Sequence, residues 1–561
     1  YQDTQWSHLE SQADELSKYF SLIWVPQSGN CNTLKNQMGY APIWWFKHDS
    51  AFGSEQQLRK MIKTFKEKGT GIIEDVVINH RNGDTDWCNF PPETWNGQTF
   101  TWSLADICKG DDQGETERNG YALKGNSDTG DDFKGARDID HTSVNAQKNI
   151  KAYLDFLLND MGYTGFRYDM VKGFAAKYIG MYNTSAKPVY SVGEYWDNTG
   201  NIKNWINGTK VDGVPTSAAF DFDMKYRIYD AFSSNGDWSK LNSECLASDS
   251  YYKQYAVTFV DNHDTGRTDG HGRSPLFANI EAANAYILGM PGTPCVFLPH
   301  WLQYKTAIKR MIATRRAVGI SNTSDIVHAD AKNDGFVLKV KGSQGDLLLI
   351  LGKTTDADTQ GMKLATSGDN YKMYVSNAVN IDEVTSIKEE QATFHAPSFC
   401  VVNDGETCAF FEKPKDWSSD IKCWAWNAAG NFTGGTWPGV ACTKVGVTDN
   451  GNEVWKWTWN GNFTNGSAEG QVPTGIIFST SGGKQTSDLK FQNGAYFNPT
   501  GVNLGVVTGI NKLLSAQNGQ RKVNVYTMDG RLVRSQVSED KSLQGLQKGV
   551  YVVNRRKLLV R

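Results

Sequence analysis

The chain has 561 residues, too many for one hydrophobic core, and its length suggests three or four domains. Its net charge is only −3, and no basic stripe occurs, which argues against nucleic acid as a partner. No apolar run reaches about 18 residues, so no transmembrane segment is expected. The chain opens at Tyr1 rather than Met, as expected where a leader has been removed.

Residues 6–20 read as a helix, with Leu9, Ala13, Leu16 and Phe20 at helical spacing. Leu22-Ile-Trp-Val-Pro26 reads as a short buried strand. Residues 55–68 form an amphipathic helix ended by Gly69, and Gly71–Ile78 is the next strand. Strand and helix keep alternating to about residue 318, as βα units around a parallel sheet do. Residues 81–137 break the rhythm. They are rich in Gly, Asp, Asn and Thr, and a long irregular insertion after a barrel strand is usually functional. From 320 to 408 short strands take over: Gly335-Phe-Val-Leu-Lys-Val, Leu347-Leu-Leu-Ile-Leu and Tyr371-Lys-Met-Tyr-Val.

A further unit, at 409–500, holds Cys423-Trp-Ala-Trp426, Thr436-Trp-Pro-Gly439, Trp455-Lys-Trp-Thr-Trp459 and Lys484-Gln-Thr486. Alternation puts Trp424 and Trp426 on one face of a strand, and Trp455, Trp457 and Trp459 on one face of another. One stripe is core, and alternation leaves open which. The 18 Trp, 23 Tyr and 26 Phe also suit sugar binding, because the C–H faces of pyranose rings pack on aromatic rings. The last unit, 507–561, carries Val523-Asn-Val-Tyr-Thr-Met and the hairpin signal Asp529-Gly530. The nine cysteines lack zinc-type spacing. Cys88 with Cys108, Cys400 with Cys408, and Cys423 with Cys442 are spaced for disulfides in an oxidising compartment. Buried free thiols fit the same positions equally well.

Four segments carry the chemistry, in this order: Asp75-Val-Val-Ile-Asn-His80, Gly165-Phe-Arg-Tyr-Asp-Met-Val-Lys-Gly173, Ser191-Val-Gly-Glu-Tyr-Trp196 and Phe259-Val-Asp-Asn-His-Asp264. Each is a β-prone apolar run ending in charged or imidazole side chains, as strands of a parallel barrel present a site at their C-terminal ends. Asp169, Glu194 and Asp264 then converge from three strands. Several carboxylates around one cleft suit glycosidic-bond chemistry. Arg167, two positions before Asp169, points the same way and favours its ionised form.

These segments resemble the four conserved regions of the α-amylase family, glycoside hydrolase family 13, over roughly residues 1–408. The resemblance implies a (β/α)8 TIM barrel at 1–319. It makes 81–137 the inserted domain B and 320–408 the antiparallel domain C. It implies Asp169 as nucleophile, Glu194 as general acid/base and Asp264 as the third carboxylate. His80 and His263 match transition-state hydrogen-bonders, Tyr40 a ring stacked under the cleaved sugar, and Lys172 a residue lining the leaving-group side; Trp196 and Tyr195 are read as the substrate-side apolar surroundings that keep Glu194 protonated. Asp75 matches a structural residue. Gly173 stands where many family members carry His. Asn79 and Asp138 match calcium ligands, with Asp132 and the carbonyls of Gly135 and Gly173 completing the set; oxygen-only donors suit Ca²⁺. Unit 409–500 resembles family 26-type starch-binding modules, with Trp424, Trp426, Trp437 and Gln485 on the sugar-cradling positions. Lys548-Gly-Val-Tyr-Val-Val553 and the basic terminus resemble the C-terminal sorting domains of type IX-secreted bacterial proteins.

The resemblance thus implies a secreted, monomeric, calcium-dependent α-amylase acting on starch, delivered by secretion machinery that reads the last unit. One departure concerns the barrel: its first strand has no counterpart before the first helix, and seven open strands would expose parallel edges. The rival readings are a transglycosylase or maltooligosaccharide hydrolase on the same site, and a non-catalytic starch-binding surface protein.

Overall fold

Seven short apolar runs pair in chain order into one parallel sheet. They are β1 (Leu22–Val25), β2 (Gly71–Val76), β3 (Gly165–Tyr168), β4 (Tyr190–Gly193), β5 (Ala218–Phe220), β6 (Ala256–Phe259) and β7 (Thr293–Cys295). The computed structural model describes residues 5–31, 39–110, 114–122, 124–234, 236–266, 275–353, 357–389, 396–397, 399–403, 405–448, 451–465 and 467–507. Beyond these it gives the backbone of 522–527, 532–538, 549–553 and 556–560. The Asp529-Gly530 turn, Met38 and Lys548 lie outside the described residues.

The strands are parallel, so their C-terminal ends share one rim. The register sets Asp75 of β2 opposite Arg167 of β3, and Tyr168 opposite Gly193 of β4. β2, β3 and β6 are almost wholly buried, which explains runs without polar alternation. Each crossover carries a helix packed on the sheet. The helix Glu55–Glu67 is typical: Ser54 and Gln57 form a capping box, and Leu58, Met61, Ile62 and Phe65 are buried on one face. The reading of 6–20 as one helix becomes two, Trp6–Ser11 and Ala13–Tyr19, broken at Gln12, with Leu9, Ala13 and Leu16 buried as expected.

Among the described residues no strand joins β1 to β7, so the sheet has two edges. The helices nevertheless close around it. Glu15, on the helix before β1, accepts from Lys305 (3.0 Å) and Lys309 (2.6 Å) on the helix Lys305–Val318 after β7. Arg316 of that last helix donates to the carbonyls of Lys18 and Tyr19 (2.5 and 2.6 Å), capping the earlier one. The sheet is therefore curled until its first and last helices touch.

The segment after β2 is irregular as expected. It is anchored where His80–Arg81 pairs antiparallel with Arg137–Asp138, and it contains a small hairpin, Glu93–Trp95 with Gln98–Phe100. After the last barrel helix come five antiparallel strands, Asp325–Lys332, Gly335–Lys341, Asp346–Gly352, Met362–Gly368 and Tyr371–Ser376. Phe336, Leu338, Leu347 and Leu349 of this sheet share one core with the barrel helices.

Residues 1–389 form one compact unit and 390–561 a second. The second unit holds a five-stranded sheet, a four-stranded sheet and, at 522–560, an antiparallel four-stranded sheet. Phe411, Cys423, Ala425, Trp455, Trp457 and Phe478 fill the space between the first two. That fixes the choice alternation left open: Trp455 and Trp457 face inward, while Trp424 and Trp426 are half-buried on the other face. No disulfide joins any of the nine cysteines, all of which are among the described residues. The Cys423 and Cys442 thiols hydrogen-bond each other inside this core.

Candidate active site

β3 and β4 end in Asp169 and Glu194. The Asp169 N–H donates to the Val76 carbonyl and the Glu194 N–H to the Tyr168 carbonyl, both at 3.0 Å, so each residue continues its strand by one step. Arg167, fully buried, stands between them. Its Nη1 donates to Asp75 Oδ1 and to Asp169 Oδ1, both at 2.7 Å. Its Nη2 lies 3.0 Å from Glu194 Oε1, close in charge but not aligned as a hydrogen bond.

One guanidinium thus faces three carboxyls. Burial pushes Glu194 up to about 8, against the pull of Arg167 and the Met170 N–H and with the repulsion of Asp169 and Asp264. Burial likewise raises Asp75 to about 6, opposed by Arg167. Met170 donates its N–H to Glu194 Oε2 at 2.9 Å. It does so from φ 44°, ψ 49°, a left-handed conformation that costs a non-glycine residue about 1–2 kcal/mol.

A second layer fixes this set. Tyr40 Oη donates to Asp75 Oδ2 (2.8 Å) and lies 2.7 Å from His263 Nε2. His263 Nε2 is 3.4 Å from Asp264 Oδ2, and the Asp264 side chain is a third exposed. His80 Nε2 reaches the Tyr40 carbonyl at 2.8 Å, and its ring stacks on Phe133 at 3.9 Å. Burial lowers the His80 imidazole. Trp196 stacks on Phe222 (4.7 Å, 15°) and donates Nε1 to Tyr226 Oη at 2.8 Å. Lys172 pairs with Asp197 at 3.0 Å. Tyr40, His80, Arg167, Asp169, Glu194, His263 and Asp264 therefore meet in one network at one rim, while Lys172 and Trp196 flank it.

Trp24 was not singled out by sequence. It donates Nε1 to Asp75 Oδ2 at 3.1 Å, lies edge-on to His263, and has the Arg167 guanidinium 4.8 Å from its ring. Its only signal was a Trp in the middle of a barrel strand.

The expected metal ligands divide. Asn79 is buried, and its Oδ1 has no hydrogen-bond partner. A Cβ on Gly173 would fall 1.9 Å from that oxygen, so Gly173 and Asn79 Oδ1 are in direct contact. Asp138 is buried, and ligand atoms of Asp138, Asp128 and Cys108 lie within 4.8 Å of one another. Asp132 and Gly135 are exposed. Asp128, not Asp132, is the carboxylate gathered at Asp138. The two carboxylates, and the buried amide oxygen of Asn79 beside Gly173, are donors of the kind a hard cation takes; the Cys108 thiol is not.

In the second unit, Trp424 and Trp437 meet edge to face at 5.9 Å, with Trp437 48% exposed. Trp426 packs against Gly475, where a Cβ would come within 2.4 Å of the indole. Gln485 is exposed, on a turn bridged to Ser479.

Acidic groups converging at the carboxyl rim of a curled parallel sheet suit the cleavage of glycosidic bonds. Residues 31–300 match the family model of the α-amylase catalytic domain, and residues 409–491 that of starch-binding module 26. Over 395 residues the chain is 30% identical to probable α-amylase 2 of Arabidopsis thaliana, which covers 66% of this chain and 90% of that protein. It is 30% identical over 389 residues to the chloroplastic α-amylase 3 of the same plant, covering 65% of this chain and 42% of that protein. A glucan 1,4-α-maltotetraohydrolase of Stutzerimonas stutzeri is 31% identical over 370 residues, covering 59% of this chain and 62% of the relative. The chain belongs to the α-amylase family and is a glycoside hydrolase of the α-amylase type that carries a starch-binding module.

Proposed function

We propose that the chain is a secreted, retaining, endo-acting hydrolase of α-1,4-glucosidic bonds in starch. The observation that carries this reading is the single buried guanidinium of Arg167 set against three carboxyls, with Glu194 held up at about 8. Such a set supplies an ionised nucleophile and a protonated acid at the same pH. Asp169 attacks the anomeric carbon and forms a glycosyl-enzyme, while Glu194 gives its proton to the departing oxygen. Glu194 then takes a proton from water, which attacks the same carbon and frees Asp169, so the configuration is retained. Asp264, His80 and His263 hydrogen-bond sugar hydroxyls as the ring flattens, and Tyr40 offers its ring face.

Calcium fits the reading as a stabiliser. Asn79, Asp128 and Asp138 would hold it, with the carbonyls of Gly135 and Gly173, and Asp128 takes the part expected of Asp132. Bound there, the ion would supply stability alone, tying the inserted segment to the end of β2 beside His80. The exposed Trp437 with Trp424, together with Trp426 and Gln485, would take α-glucan chains. The four-stranded sheet at 522–560 would be the sorting domain read by type IX-type secretion machinery, on the strength of the Lys548–Val553 resemblance. The boundaries 1–319, 320–408, 409–500 and 507–561 belong to the same proposal.

The test is reducing-sugar release from soluble starch, followed together with iodine staining. Endo-cleavage predicts that staining collapses while few reducing ends have appeared. Asp169→Asn and Glu194→Gln should each cut turnover by several orders of magnitude with the fold unchanged. If Glu194→Gln kept more than about a tenth of wild-type turnover, roughly 1.4 kcal/mol of barrier, the acid/base assignment would fall.

A further inference from the structure

Two acidic side chains outside the four motifs hold Lys172, and neither has a part in the chemistry described so far. Lys172 follows Asp169 by three residues, and Asp197 follows Glu194 by three. Their side chains meet across the rim: Lys172 Nζ donates to Asp197 Oδ2 at 3.0 Å. It also donates to the Trp196 carbonyl at 3.4 Å, and Asp131 Oδ2 stands 3.7 Å away. Asp197 is itself fixed. Its Oδ1 accepts from the Asn198 N–H (2.8 Å), Asn198 Nδ2 (3.0 Å) and Asn201 Nδ2 (2.9 Å). One oxygen thus braces the start of the helix Thr199–Gly208 and the other faces Lys172. Asp131 comes from the inserted segment, and its N–H donates to the Lys172 carbonyl at 2.9 Å. A Cβ on Gly130 would fall 2.3 Å from that carbonyl oxygen, so the two backbones touch and only glycine fits between them.

The geometry points to Asp197 and Asp131 as positioning residues that hold the Lys172 ammonium for the departing end of the glucan; this rests on the hydrolase reading above. Glu194 delivers its proton to the leaving oxygen. The chain runs on from Glu194 through Trp196 to Asp197, and the device takes that stretch of the rim as the border of the departing sugar. A free lysine side chain loses rotamer freedom on binding, and fixing it beforehand removes that cost from each encounter. Two of the three ammonium donors are within hydrogen-bond distance of Asp197 and the Trp196 carbonyl. The third is left for a sugar hydroxyl, because Asp131 stands beyond hydrogen-bond reach. The device acts only on substrates that carry sugar on the leaving side.

The experiment compares kcat/KM on maltoheptaose and on α-maltotriosyl fluoride, whose leaving group is fluoride. Asp197→Asn keeps the shape and the helix brace and removes the charge that faces Lys172. It should lower kcat/KM on maltoheptaose at least about fivefold, mostly through KM, and change the fluoride reaction less than about twofold. Asp131→Asn should act in the same direction and less. In Lys172→Met the further change Asp197→Asn should cost nothing on maltoheptaose, because the two residues act as one unit. Equal losses on both substrates would make Asp197 a structural residue and overturn the proposal, as would no loss on maltoheptaose. An unaltered protein that cleaved neither substrate would overturn the hydrolase reading and this device with it.

Discussion

Arg167 carries one positive charge among three buried carboxyls, so ionising all three would leave two uncompensated negative charges where water hardly reaches. The proton stays with Glu194, whose folded value is about 8. Activity on amylose should therefore fall as pH rises through about 8. With α-maltotriosyl fluoride that alkaline limb should flatten, because fluoride leaves with little protonation. An identical limb on both substrates would assign the titration to another group. Glu74, on the opposite face of β2, makes a parallel case without chemistry. It is buried, accepts from the Ser28 N–H (2.9 Å) and Oγ (2.8 Å), and burial pushes it up to about 8. Its folded value lies above that of a solvated glutamate. Its contribution to stability is thus full below about pH 4 and lost as pH climbs through about 8. Glu194 adds a loss of the same sign. Glu74→Gln should flatten the fall of Tm between about pH 6 and 9, measured by calorimetry; an unchanged slope would place that titration elsewhere. The motif residues of this site were legible because each ends an apolar run, which marks both the strand and its functional tip. Trp24, Asp128 and Asp197 were not. Trp24 reads as core in its strand, Asp128 is one of several acids in a polar loop, and Asp197 acquires its meaning only from Lys172 across the rim.

The elements that matter most are the end of β2 and the segment that returns to it at Arg137–Asp138. Gly173, just past β3, lets the Asn79 amide oxygen sit where a side chain would otherwise be. Gly173→Ala should displace Asn79 and, with it, the segment that carries His80. Chelation by EDTA should lower Tm and activity together in the unaltered protein, with added Ca²⁺ restoring both. In Gly173→Ala the difference in Tm between chelated and calcium-loaded protein should shrink. A full-size difference in the variant would separate Asn79 from the metal. The barrel elements were readable from strand–helix alternation. Asp325–Lys332 was not, because its alternating apolar residues are few and mostly small, and neither face of the strand is buried. The break at Gln12 was missed for the opposite reason: Leu9, Ala13 and Leu16 keep one buried stripe across it.

In the whole molecule, catalysis and adhesion to starch are assigned to different units, and no helix of the described residues is long and apolar enough to cross a membrane. The buried Trp455 and Trp457 build the module, and the exposed Trp437 is spare for a ligand. Trp437→Ala should weaken adsorption to granular starch and slow granule digestion, and leave cleavage of short soluble maltooligosaccharides almost unchanged. Equal losses on both would make the module a structural support. The clasp between the first and last barrel helices has a consequence of another kind. Glu15 and Lys309 are 294 positions apart, so the hoop they fasten cannot form on a nascent chain until the last barrel helix has left the ribosome. Until then the helices have not closed around the sheet. The interval between synthesis of β1 and synthesis of Lys309 is when this protein is most exposed to aggregation, and when a chaperone or a slowed translation rate would matter most.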